Sequence, residues 1–557
     1  MIQAKTEKIK CQPDERLRTL IFLFFLGFII IHHCFVFLGF YGNDDVNYAR
    51  YAAMAAHGEK LSLLTADHFE LRWVAIYTTA FFYRLFGINE FTTAAFGSIA
   101  LALTGYYIKK IMRQTPLWTY ILALILFFLN YRIIFNTHRL LPDSGVCLFI
   151  FGAYYYYLRA LEGGRSLSNA AVSAVFVFLA IITKETIVLS IPLFIFLCAR
   201  DISRKQMFTF WKAAIGLLSA LIFAYLLLFK INTGEWLYRY TLLQANVYDS
   251  ACNFAGLPFS ETVKRIGYYL WEAFLRNGDL LYLIFGLCGF FYRNKVMPSK
   301  AAREIALAFF ILLLSSNFMS ISFTSYTPLC HDTRHYLFLF PFAAISGGWM
   351  LAAYIAEPRK YLPVLILPWL ATVILFGIGG GAIKFLYLLV GLLLLIPVFS
   401  RSIINPGTLK GVFAVMLAGC MALRPLYDLY HNEFSYYYDH KKLVKEIFSR
   451  SRQSAIIFTG DDLTAAMSEY FLKYNSPSLA FKNLYATDSL SYIPANHIYL
   501  LVNQAYNIKM DAGVRELAKS GAYQAIRLVG SSGAVHLYAV EDIKALKFLK
   551  PYAGSVH

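Results

Sequence analysis

This sequence has little charge for its length. Only 15% of its 557 residues are Asp, Glu, Lys or Arg, against 58% in the hydrophobic set. A soluble chain of this length needs far more charge to clothe its surface, so a soluble enzyme is excluded and a polytopic membrane protein is indicated. A Gly-rich phosphate loop is also missing, and with it any sign of nucleotide-driven chemistry. The eight cysteines include no C-x-x-C pair. Cys34, Cys147, Cys198, Cys288 and Cys420 sit in apolar runs, where Cys acts as a small hydrophobe. Cys252 and Cys330 fall in outer loops and could pair, although spacing alone does not set connectivity. Internal repeats and low-complexity tracts are absent. The first apolar segment has no small-residue cleavage site, so it reads as a retained span and not a signal peptide.

What charge there is leans positive: 51 Lys and Arg against 33 Asp and Glu, a formal net charge of +18. These cations lie in short clusters between apolar segments and not on one basic domain, which argues against a nucleic-acid partner and for cytoplasmic loops. Apolar segments of spanning length occur near 20–40, 90–108, 116–131, 144–159, 169–183, 186–199, 210–229, 279–292, 304–322, 336–355, 361–379, 383–400 and 408–423, about thirteen in all. Their basic punctuation predicts a cytoplasmic N-terminus and a C-terminus outside, in an inner (plasma) membrane. Residues 1–430 then form the transmembrane domain, with outer loops at 41–89 and 230–277. The segment from Leu71 to Phe86 is apolar on one side with Arg72 and Arg84 at its ends, as suits a helix lying in the interface.

From 431 to 557 charge rises and short β-type runs appear at 454–458, 497–502 and 534–540, with helical patterns at 462–474 and 511–519 between them. Alternation of this kind predicts a small soluble α/β domain, on this topology periplasmic or extracellular. Asp461-Asp462 follows a strand without a phosphate loop, so an N-cap role is expected.

Polar residues cluster where spans end on the outer side. Asp44 and Asp45 follow the first span, ahead of Tyr48. Glu70 and Arg72 lie in the first loop. His138, Arg139 and Asp143 join two spans, Lys184 and Glu185 separate two more, and His331, Arg334, His335 and Tyr336 precede another. Ionisable groups at membrane depth are expensive and mark functional centres. Adjacent acids beside cations suit a general base next to a pocket for an anionic leaving group. His138, His331 and His335 with Glu70 leave room for a divalent metal, but no spacing requires one, and no metal ligand or cofactor is assigned.

The order of these features resembles the GT-C glycosyltransferases, in particular the branch of the protein O-mannosyltransferases and the lipid A aminoarabinose transferases. The matching residues are Asp44-Asp45 leading into Tyr48-Ala49, then Phe69-Glu70, Leu85-Phe86-Gly87 with Asn89-Glu90-Phe91, Asp143, Thr183-Lys184, and Arg334-His335-Tyr336-Leu337 before Pro341. The chain departs at Asn47, where relatives often carry Arg, and at Leu71-Arg72, where they often carry Lys and Pro. The resemblance implies a helical GT-C-like membrane fold and transfer of a sugar, with inversion, from a polyprenyl-phosphate donor to an envelope lipid, glycan or protein. It implies Asp44, with Asp45 as second choice, as base and Asp143 as an orienting acid. Arg72, Arg139, Lys184 and Arg334 would compensate the phosphate. Tyr48, Glu70, His138, His331, His335 and Tyr336 are expected to touch substrate. A lipid-linked glycan transporter and a non-catalytic membrane sensor are the alternative classes.

Overall fold

The computed structural model describes residues 15–40, 42–59, 67–247, 252–322, 325–330, 332–377, 383–400, 404–431, 436–449, 453–486, 497–519 and 525–553. Each of the thirteen expected apolar segments overlaps a helix. Among the described residues, eight helices are long and apolar enough to cross a membrane, or up to ten if each of two bent pairs counts as one span. The count falls below thirteen because several apolar runs fold into pieces. Leu117–Phe128 stops after 12 residues and resumes, bent by 53°, as Tyr131–Thr137, and Lys384–Ser400 has only 17 residues. The chain is a multi-pass membrane protein with a small sheet near its C-terminus.

Contacts divide the chain into two compact units: Met1–His32, Ser98–Asn136 and Pro142–Tyr427 in the first, His33–Gly97, Thr137–Leu141 and Asp428–His557 in the second. The first unit is helical. One largely enclosed helix, Phe340–Ala356, is entered through a 3-10 turn, Thr333–Leu339. Glycines let its neighbours approach closely. A Cβ on Gly289 would meet the Ser346 carbonyl at 2.5 Å, and one on Gly348 would meet the Thr119 carbonyl at 3.0 Å. Small residues serve the same end between helices in lipid, where dispersion and not water expulsion drives packing. Cys252 and Cys330, 78 residues apart, form a disulfide in this unit, so the pairing left open by spacing is made.

The second unit holds a five-stranded sheet in the order β2-β1-β3-β5-β4. The strands are β1 (Ala455–Thr459), β2 (Leu479–Asn483), β3 (His497–Asn503), β4 (Ile526–Ser532) and β5 (Val535–Val540). β1 pairs in parallel with β2 and β3, whereas β5 is antiparallel to β3 and β4. Period-two alternation sends Ile457 and Phe458 to opposite faces, each into its own core. One core holds Phe458, Leu500, Val502, Met510 and Leu546. The other joins the sheet to the first loop: Phe40, Val46, Ala49 and Ile76 share it with Tyr437, Tyr470 and Leu537. The Phe40 and Tyr470 rings meet edge to face at 4.9 Å. Burying one such ring contributes about 1.5–3 kcal/mol. As expected, Asp461 caps helix Asp462–Phe471, its carboxylate accepting from the Thr464 N–H (2.7 Å) and hydroxyl (2.8 Å).

Candidate functional site

In the second unit, the helix Asn43–Ala56 begins with the acidic pair. Acids in a first turn complement the helix dipole, and Asp45 goes further. Its Oδ1 accepts from the N–H groups of Gly42 (3.3 Å) and Val46 (3.1 Å), closing the helix start on itself. Its Oδ2 lies 3.6 Å from Arg139, and both side chains are fully buried. Asp44, one residue earlier, is only half-buried. Tyr48 and Arg72 lie on the same helix–loop face, the guanidinium 5.8 Å from the ring centre, and Phe69 meets the Tyr48 ring edge-on at 5.4 Å. Glu70 is bonded by the Tyr51 hydroxyl, and burial together with Asp67 pushes its carboxyl above the usual range. Asp67 is shifted the other way: burial would raise it, but the bond and electrostatic pull of His68 and the backbone N–H groups of Phe69 and His68 together outweigh burial. His138 stacks on His33 with ring centres 4.7 Å apart. The interface-type helix is present as Trp73–Phe86: Ala75, Ile76, Thr79, Ala80 and Tyr83 are buried, and Tyr77, Phe81, Leu85 and Phe86 are exposed.

The first unit gathers a separate cluster. Asp143 opens helix Asp143–Leu161, and Lys184 sits in extended conformation between helix Ser166–Thr183 and the 3-10 turn Glu185–Ser190. Lys184 Nζ donates to Asp143 Oδ1 at 2.7 Å. His335 Nδ1 lies 3.0 Å from Lys184 Nζ and 3.2 Å from Asp143 Oδ1. A single ring nitrogen accepts from the lysine or donates to the carboxylate, not both, so the tautomer of His335 decides how the charge of Lys184 is shared. Asp332 holds the start of this segment, accepting from the Arg334 N–H at 3.0 Å and pairing with its Nε at 3.1 Å. Arg334 is near enough to Asp143 to act on it electrostatically. The Tyr336 hydroxyl is occupied by Arg265, which also bonds the Leu329 carbonyl and the Asn317 side chain. His331 lies outside the described residues.

Sequence reasoning missed three features. Arg265, fully buried within a π-helical turn (Arg265–Tyr269), clamps both ends of the segment that carries Arg334 and His335; π turns of this kind recur at functional sites. The partners of Glu90, Lys441 and the Tyr437 hydroxyl (3.2 Å), were also missed; the Asn89-Glu90-Phe91 motif picked out the acid but carried no sign of groups so far away in sequence. An apolar groove of about 810 Å³ runs between helices Ser166–Thr183, Ile191–Ser203 and Phe208–Thr233. Val177, Phe194 and Leu218 line it, and Glu185 and Arg239 stand at its polar margin. Among the described residues, no group of three or more His, Cys, Asp or Glu side chains is placed to hold a metal ion.

No protein-family model matches the chain, and no curated protein matches its sequence. Solved structures do match. The crystal structure of ArnT from Cupriavidus metallidurans bound to undecaprenyl phosphate superposes with a TM-score of 0.60 at 12% identity, covering 95% of this chain and 99% of that one. The apo state of the same protein gives 0.56 at 12% identity, covering 97% and 99%. The likeness establishes the fold: nearly the whole chain folds as ArnT does, a helical membrane architecture with a small C-terminal sheet region.

Proposed function

We propose that the protein is a glycosyltransferase that moves a sugar from a polyprenyl-phosphate donor to an envelope acceptor (lipid A, another glycan or a protein) at the outer face of an inner (plasma) membrane. The observation that carries this reading is the position of the apolar groove. Its margin residue Glu185 is covalently next to Lys184, which is bonded to Asp143 and lies beside His335. A long apolar chain in the groove would therefore end beside the ion-paired cations Arg239 and Lys184, where a lipid-linked phosphate could exchange for their carboxylate partners. ArnT, whose fold this chain shares, was crystallised with undecaprenyl phosphate.

In this mechanism the acceptor hydroxyl attacks the anomeric carbon as the bond from that carbon to the phosphate oxygen breaks, with inversion. Asp44 takes the hydroxyl proton, and polyprenyl phosphate departs with the bonding pair. Asp44 suits the base better than Asp45, because Asp45 is committed to its helix start and to Arg139. Lys184 and Arg334 oppose the charge developing on the phosphate, and Arg72 and Arg139 add positive potential around the carboxylates. An Arg fork matches phosphate oxygens bidentately. Asp143 fixes the Lys184 ammonium. The donor phosphate supplies the driving force, so no nucleotide is needed. The N-terminus is cytoplasmic in this reading, and the C-terminal sheet stands outside.

The test is transfer of radiolabelled sugar from a synthetic polyprenyl-phosphate donor by purified protein in detergent, where no transmembrane gradient exists. Transfer that is lost in Asp44→Asn at normal expression supports the reading. A protein that only moves the donor across vesicles, without transfer, would overturn it in favour of a transporter.

A further inference from the structure

Two bent helix pairs of the first unit open on one cavity at their bends. The first break turns the chain by 53° between Leu117–Phe128 and Tyr131–Thr137, and the second by 119° between Phe259–Arg276 and Leu280–Phe291. Leu129 and Arg132 from the first and Asn277 and Asp279 from the second line a cavity of about 700 Å³. Within a bilayer, interrupted helices persist only where protein or a polar cavity satisfies the released backbone groups, and such breaks mark ligand sites. Arg132 ties the two breaks together: its Nε lies 3.5 Å from Asp279 Oδ2 and its terminal nitrogen donates to the Asn277 side chain. Both charges are nearly enclosed, with 14% and 4% of the side chains exposed.

The rest of the lining has a different chemistry. Ile383, Leu386 and Leu423 are apolar, the first two lying against Gly278, and Arg424 lines the same cavity. Its guanidinium lies 5.1 Å from the Tyr131 ring centre and 5.3 Å from that of Tyr427. Aromatic faces orient a guanidinium plane, and its in-plane N–H fork matches phosphate oxygens. Two arginines against one aspartate leave the lining with a net positive charge. None of these residues belongs to the groove assigned to the donor.

We propose that this cavity is a second lipid site, which takes a membrane lipid with an anionic phosphate headgroup. The phosphate sits on Arg424 and Arg132, and the first methylenes of the chain lie on Ile383, Leu386 and Leu423. The proposal does not depend on which reaction the donor groove serves.

The test uses full-length protein in phosphatidylcholine nanodiscs containing a trace of phosphatidylglycerol with a photoreactive acyl chain. Crosslinks should map to 383–388 or 420–427. Their yield should fall about tenfold in Arg424→Gln and less than about threefold in Arg424→Lys, as a charge-assisted bond requires. Leu386→Trp, which fills the cavity and keeps both arginines, should abolish them and keeps the idea testable if Arg424→Gln does not fold. Equal labelling by photoreactive phosphatidylcholine, or unchanged labelling in Arg424→Gln and Leu386→Trp, would overturn the proposal. Displacement by equimolar glycerol 3-phosphate would overturn the lipid assignment in favour of a soluble phosphate.

Discussion

Asp45 and Arg139 face each other across 3.6 Å with neither side chain open to solvent. A buried pair of this kind is worth little against an apolar replacement, yet breaking it strands one charge. Asp45→Asn or Arg139→Met should each lower stability by about 3–5 kcal/mol. The double variant Asp45→Asn/Arg139→Met should lose much less than the sum. Thermal unfolding of the purified full-length chain reads all three.

The neighbouring carboxylate should behave in the opposite way. Asp44 is half-buried, so Asp44→Asn should leave the unfolding temperature within a degree or two, while transfer falls by about 10²–10⁴ as for other positioned bases. An Asp44→Asn protein that unfolds early and still turns over would exchange the roles assigned to the two acids.

Lys184 is held by Asp143 in a setting with little water. Lys184→Met should reduce transfer by about 10²–10³, the scale seen when one preorganised donor to a developing anion is removed. Lys184→Arg should recover part of it. Equal loss in both variants would point to a packing role for this position.

The disulfide between Cys252 and Cys330 ends two residues before Asp332, which fixes Arg334. Replacing both cysteines by serine should cost about 2–4 kcal/mol. Disulfides persist on the oxidising side of a membrane. After mild reduction, an impermeant maleimide should therefore label Cys252 and Cys330 from outside intact cells.

Acid should weaken the second unit through His440. Burial depresses this imidazole to about 3, and its Nε2 lies 2.9 Å from the Ser468 hydroxyl. A folded pKa below the unfolded one gives stability that is present above pH 6.5 and drains away as pH falls toward 3. At pH 5 the loss is about 2 kcal/mol. Asp461, raised by burial to about 6, works in the reverse sense: its contribution is complete below 3.8 and disappears as pH rises through 6. His440→Gln should remove the loss at acid pH, so that this unit unfolds no earlier at pH 5 than at pH 7. Asp461→Asn should widen the difference in unfolding temperature between pH 7 and pH 5, with Asn still able to cap the helix.

Long apolar periodicity made the helices legible, and turn-bounded β runs gave β1, β3 and β5. β2 and β4 escaped notice because both are edge strands. Leu479-Ala-Phe-Lys-Asn483 is short and mixed, and β4 is mostly exposed, with its register shifted between Leu528 and Gly530. The span count failed for a related reason: apolar character does not report a 53° or 119° bend. Among the site residues, Lys184, Asp143 and His335 were nominated from motif order, and they meet across 151 and 192 positions of sequence. Arg265 carried no signal, since a Lys-Arg pair in a Tyr- and Trp-rich outer loop reads as an anchor near the headgroups. Only its reach to Leu329 and Tyr336 reveals what it organises.

The contact of Phe40 with Tyr470, and of Val46 with the Tyr474 hydroxyl, has an effect on how truncations are read. Cutting the chain ahead of Tyr437 strips the hydrophobic backing from the helix that bears Asp44 and Asp45. Such a deletion unseats the carboxylates themselves, so silence from a shortened protein is no sign that the missing piece ever held a ligand.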